Sequence, residues 1–119
     1  MKTMIVGASN KPERYAYKAM SMLINHGHEV ILVNPNLSQI EGHPVYPSIS
    51  KAQQTVDTVT MYVSASISDS FEKDLLALKP RRIIFNPGAE NPKLAKILKH
   101  NGTEPLDACT LVLLQTNQF

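Results

Sequence analysis

The sequence predicts a doubly wound, three-layer α/β domain, in which a mostly parallel five-stranded sheet is covered by helices on both faces. Short apolar runs recur along the chain, with amphipathic helical patterns between them. Runs such as VILV and RIIF are continuous instead of alternating with polar residues, as strands buried on both sides require.

The strand segments are TMIVG (3–7), EVILVN (29–34), DTVTMYV (57–63), RIIFN (82–86) and TEPLD (103–107), the last the weakest in β-branched and aromatic residues. Ala16, Ala19, Met20 and Leu23 follow the spacing of a helix face, and Gly27 supplies a stop. Phe71, Leu75 and Leu78 repeat at the same period until Pro80. Leu94, Ile97 and Leu98 form a third stripe, with Gly102 where a left-handed cap would fall. The connection 35–54 is rich in turn formers and reads as irregular, with one polar stretch, Ser50 to Gln54, long enough for a turn or two of helix.

A length of 119 residues fits one domain spanning 1–119. Twelve Lys and Arg against 10 Asp and Glu give a charge of +2, too balanced for a protein that coats nucleic acid. One cysteine forms no internal disulfide, and no apolar run approaches a membrane span, so a soluble cytoplasmic protein is expected.

In a doubly wound sheet, ligands sit beyond the carboxyl ends of the strands. The first strand is followed there by Gly7, Ala8, Ser9, Asn10 and Lys11, then by Pro12 and an expected helix start. A glycine turn, two small residues, neutral donors, a cation and a helix N-terminus together suit a phosphate; a tight turn capped by Ser9 or Asn10 is the simpler alternative. Neither G-x-G-x-x-G nor G-K-[ST] is complete, because no glycine follows Gly7 until Gly27. The second strand ends in Asn34-Pro35, without the carboxylate that binds ribose hydroxyls in NAD sites. Pro35 reads either as a wall for an adenine ring or as a strand terminator.

After the fourth strand comes NPGAENPK, in which Pro87-Gly88 makes a turn and Asn91 caps a helix with Pro92 at its first position. Glu90 is unexplained by turn chemistry and is assigned a ribose hydroxyl, an amide or an ordered backbone group, with a solvated surface residue as the alternative. Cys109 falls near the same edge, where a lone cysteine is more often a small buried apolar residue than a nucleophile. His26, His28, His43 and His100 lack ligand-spaced partners, so no metal and no catalytic set is expected.

The segments VGASNKPERY, HGHEVILVNP, IEGHPVYPSI, VDTVTMYV, RRIIFNPGAENP and DACTLVLL, in this order over nearly the whole chain, resemble the small CoA-binding proteins related to the N-terminal domain of the succinyl-CoA synthetase α subunit. The resemblance implies a Rossmann-like domain that binds coenzyme A or an acyl-CoA. By position it places Gly7, Ala8, Ser9 and Lys11 at the phosphates, with Asn10 beside them, and Pro35 against the adenine. Val63 and Ser64 would line the cleft, and Asn86, Pro87 and Gly88 would face the pantetheine. The third-strand exit reads VSASIS where many relatives carry a proline turn, and Ala89 stands where Thr is frequent.

A binding, carrier or regulatory module is therefore expected instead of an enzyme. The alternatives are an enzyme acting on a CoA thioester, an NAD-type oxidoreductase, and a redox module in which Cys109 forms a mixed disulfide with the CoA thiol. The expected partner is a small-molecule CoA ligand, with no nucleic acid and no membrane; the sequence names no protein partner and is compatible with a homo-oligomer.

Overall fold

The structure is a computed structural model and describes residues 1–52 and 54–119. Its sheet has seven strands: β1 (Lys2–Val6), β2 (Glu29–Val33), β3 (Gln39–Ile40), β4 (His43–Tyr46), β5 (Thr58–Met61), β6 (Arg82–Phe85) and β7 (Glu104–Asp107). They lie in the order β3-β4-β2-β1-β5-β6-β7, and every pairing is parallel except that of β3 with β4. From β1 the chain winds outward to β2, then crosses back to β5 on the other side. The reversal between β1 and β5 opens a crevice at the carboxyl ends of these strands.

The expected five strands are all present, and the two additional ones form a hairpin in the connection read as irregular. Its pattern is weak because β3 has two residues and β4 carries Pro44, and only Val45 and Tyr46 pair with β2. Ile40 and Val45 nevertheless point into the core and anchor the hairpin.

The helices are α1 (Tyr15–Asn25), α2 (Ile49–Ala52), α3 (Ala65–Ser68), α4 (Glu72–Leu78), α5 (Pro92–His100) and α6 (Thr110–Gln115), with a 3₁₀ turn over Asp69–Phe71. The α1 stripe of Ala16, Ala19, Met20 and Leu23 is buried as its spacing requires. α4 stops at Lys79, since the following Pro80 disfavours the right-handed helical region before it, and Lys79 forms a left-handed cap at φ 53. Gly102, at φ 95, follows α5, and Thr103 N–H then returns to Leu98 O at 3.0 Å. The polar turn expected over Ser50 to Gln54 includes Gln53, which lies outside the described residues; α2 begins one residue before it.

Strand alternation sorts the apolar side chains into two cores. Met4, Val6, Val59, Met61, Ile83 and Phe85 face α2, α4 and α5, whereas Ile5, Leu32 and Val45 face α1 and α6. The α1/α6 face also buries Thr60, whose hydroxyl meets that of Thr110 at 2.7 Å. No helix is long and apolar enough to cross a membrane among the described residues.

Candidate functional site

The crevice at the β1/β5 reversal is a cleft of about 740 Å³, within the usual range of small-molecule sites. Its floor is the turn after β1. Gly7 has φ 89, and a Cβ there would lie 2.9 Å from Val63 Cγ1, so the position requires glycine on both conformational and steric grounds. The N–H groups of Gly7 and Ala8 both donate to Val33 O at 3.1 Å, which locks the turn against β2 and removes these two donors from the cleft. Ser9 Oγ accepts from Lys11 N at 3.1 Å and folds the next turn.

Beyond this, the wall becomes cationic and open. Helix α1 begins at Tyr15, three residues later than Pro12, because residues 11–14 first form a turn closed by Arg14 N to Lys11 O at 3.0 Å. No side chain caps the helix and no acidic residue occupies its first turn. Its first N–H groups therefore keep their partial positive charge facing the cleft mouth, where an anion is favoured. Lys11 and Arg14 line the same cleft and make no ion pair among the described residues.

On the β2 side the cleft is lined by Asn34, Asn36 and Leu37. Pro35 is an exposed turn residue outside the lining, next to residues that belong to it. Asn34 stands where a dinucleotide site places its carboxylate, and its amide is engaged at both ends: Nδ2 donates to Ala8 O at 2.8 Å and Oδ1 accepts from Asn36 N at 2.7 Å. It joins the β1 and β2 exits and fixes the turn between them.

From β5 the lining residue is Tyr62. Its hydroxyl points inward beside Thr60 and Thr110, which bond each other, and it has no well-formed hydrogen bond of its own. Burial pushes its phenol up to about 12, outweighing the opposing pull of the two threonines, so the ring is a neutral wall. Val63 packs under Gly7, and Ser64 is exposed at the start of α3, its hydroxyl 3.0 Å from that of Ser66.

The β6 exit contributes Pro87 to the lining. Asn86 is buried behind it. Its Nδ2 donates to Thr60 Oγ1 at 2.7 Å and to Met61 O at 2.9 Å, and its Oδ1 accepts from Thr110 N at 2.9 Å, so one amide ties β5, β6 and the start of α6. Gly88 N donates to Glu90 Oε1 at 2.9 Å, so the ordered backbone group that Glu90 binds belongs to its own loop. Asn91 caps α5 by accepting from Leu94 N at 3.1 Å, as its place before Pro92 predicts, while its Nδ2 reaches Ser68 and Asp69. Cys109 is half-buried at the head of α6, outside the cleft lining. Among the described residues no group of three His, Cys, Asp or Glu is placed to hold a metal.

Gly7, Ala8, Ser9, Asn10, Lys11 and Pro87 are thus brought together on one cleft. Arg14, Tyr15, Asn36, Leu37 and Tyr62 are lining residues that the sequence reading did not single out. The Asn34-Pro35-Asn36 turn was the available signal for Asn36 and Leu37, because an Asx turn projects the following residues over the strand end.

Parallel topology, the reversal at β1/β5 and the cleft above it define a Rossmann-like α/β domain. The CoA binding domain family model matches residues 1–115, and the chain belongs to that family. A crystal structure of an uncharacterised protein is 41% identical, covers 99% of this chain and 97% of its own, and superposes with a TM-score of 0.91. The uncharacterised protein YneT of Bacillus subtilis is 23% identical over 91% of this chain and 81% of its own length. The dinucleotide-forming acetyl-coenzyme A synthetase 1 of Candidatus Korarchaeum cryptofilum shares the fold: TM-score 0.77, 18% identity, 90% of this chain and 26% of that much longer one.

Proposed function

We propose that the chain binds coenzyme A or an acyl-CoA in the cleft above β1 and β5, as a carrier or regulatory module without catalysis of its own. One observation carries the reading: an uncapped helix N-terminus and two cations that form no ion pair among the described residues share one cleft. Such a wall suits the phosphates of CoA. The adenosine would lie toward Asn36 and Leu37, and the pantetheine would run past Tyr62 and Pro87.

A binding role is favoured over acid–base chemistry because the polar side chains of the β5 and β6 exits are either engaged or buried. Asn86 is saturated, Glu90 closes its own loop, and Tyr62 is held neutral by burial. None has the free, poised proton that acid or base catalysis of acyl transfer needs. Asn34, with both ends of its amide occupied, speaks against an NAD-type ribose contact.

Titration calorimetry of ligand-free protein with CoA, acetyl-CoA, ADP and NAD tests the reading. Saturable binding of CoA or acetyl-CoA, with NAD weaker, is expected. Absence of CoA and acetyl-CoA binding at high micromolar concentration overturns it.

A further inference from the structure

Resting on the CoA reading, we propose that Arg14 recognises the phosphate on the ribose of the ligand and makes the cleft selective for CoA over its 3′-dephospho form. The β1 exit has two cations at different stations. Lys11 follows directly on the Ser9–Asn10 turn, whose Ser9 hydroxyl takes the Lys11 N–H, and is assigned to the diphosphate. Arg14 is three residues further on, at the head of α1, with an extended backbone (φ −79, ψ 143) and no capping bond.

The β2 exit shows why a phosphorylated ribose is acceptable there. A carboxylate at position 34 would claim the ribose hydroxyls and repel a phosphate attached to them. Asn34 is uncharged, and its amide already joins Ala8 O to Asn36 N. The ribose must therefore be held by something else. The neighbouring charges are Arg14 and Lys11 with the carboxylate of Glu13, also in the lining, which makes no ion pair with either. Two cations against one carboxylate leave the region net positive. A guanidinium presents parallel N–H donors that match a phosphate dianion, which a lysine meets only as a point charge.

Calorimetry with CoA and 3′-dephospho-CoA, on wild type, Arg14→Gln and Lys11→Gln, separates the two stations. Arg14 is exposed, so its substitution leaves the fold intact, which the melting temperature verifies. Wild type is expected to prefer CoA by about tenfold or more, the effect of one charge-assisted contact. Arg14→Gln is expected to abolish that preference by weakening CoA about tenfold more than 3′-dephospho-CoA, and Lys11→Gln to weaken both ligands alike. Equal wild-type affinities, or a preference that survives in Arg14→Gln, overturn the assignment while leaving CoA binding in place. Failure of wild type to bind either ligand removes the CoA reading and this assignment with it.

Discussion

The exits of β1 and β6 lie on the same edge of the sheet and both supply polar residues within a few positions of the strand end. At the β1 exit, Lys11 and Arg14 are exposed and ion-pair with nothing among the described residues, and the helix behind them is uncapped. At the β6 exit, Asn86 makes three hydrogen bonds, Glu90 accepts from Gly88 N, and Asn91 both caps α5 and holds α3. The first region has unsatisfied capacity that a ligand can fill. The second has used its capacity in tying β5 and β6 to the helices α3, α5 and α6. A short polar motif at a strand end is therefore not by itself a binding motif; what its side chains already touch decides the matter.

Substitutions that separate folding from binding test this contrast. Asn86→Ala should have the largest effect on stability, a loss of about 3 kcal/mol in denaturant unfolding, because Thr110 N–H is left buried without its acceptor, Thr60 Oγ1 and Met61 O each lose a donor, and a small cavity opens. If the loss were below about 0.5 kcal/mol, Asn86 would not be the clamp described. Gly7→Ala should follow at about 2 kcal/mol, since alanine disfavours a positive φ and its methyl would strike Val63. That variant should also lose CoA affinity through the displaced turn.

Lys11→Gln reverses the pattern. Its unfolding free energy should stay within about 0.5 kcal/mol of wild type, while CoA affinity falls and becomes less salt-dependent. A stability loss with unchanged affinity would place Lys11 in the fold instead of the site. The smallest effect is expected at the opposite edge of the sheet, where the Arg81 guanidinium bonds Asp57 at 2.8 Å and holds its carboxyl at about 2, below the ordinary 3.8. A carboxyl lowered by folding stabilises above its ordinary value, and that contribution is lost as pH falls from there through about 2. Asp57→Asn should flatten the acid limb of stability against pH and leave CoA affinity unchanged at pH 7. An unaltered acid limb would show that the pair does not couple to folding.

The parallel sheet and the helices α1, α4 and α5 were legible because apolar runs and helical stripes report burial directly in local sequence. The Asn91-Pro92 start and Gly102 stop of α5 were equally plain, since capping acts within a turn. The β3–β4 hairpin was not, as two-residue pairing and Pro44 give no period to read. Helix α6 is short and follows a weak strand, so TLVLLQ carried no clear stripe.

The site was partly legible. The GASNK turn could be placed at the cleft from its position after β1. The engagement of Asn86 could not, because its partners Thr60 and Thr110 lie 26 and 24 residues away and meet it only once the sheet has formed. Tyr62 was hidden in the same way, its ring being part of the wall only through the β1/β5 reversal.

Hydrogen exchange with and without saturating CoA, followed by mass spectrometry at peptide resolution, tests the central contrast most directly. Slowed exchange is expected across residues 9–17, where the loop and the first turn of α1 gain an anion, with little change at 86–91, whose polar groups are already satisfied. Protection concentrated at 86–91, with 9–17 unchanged under saturating CoA, would contradict the account.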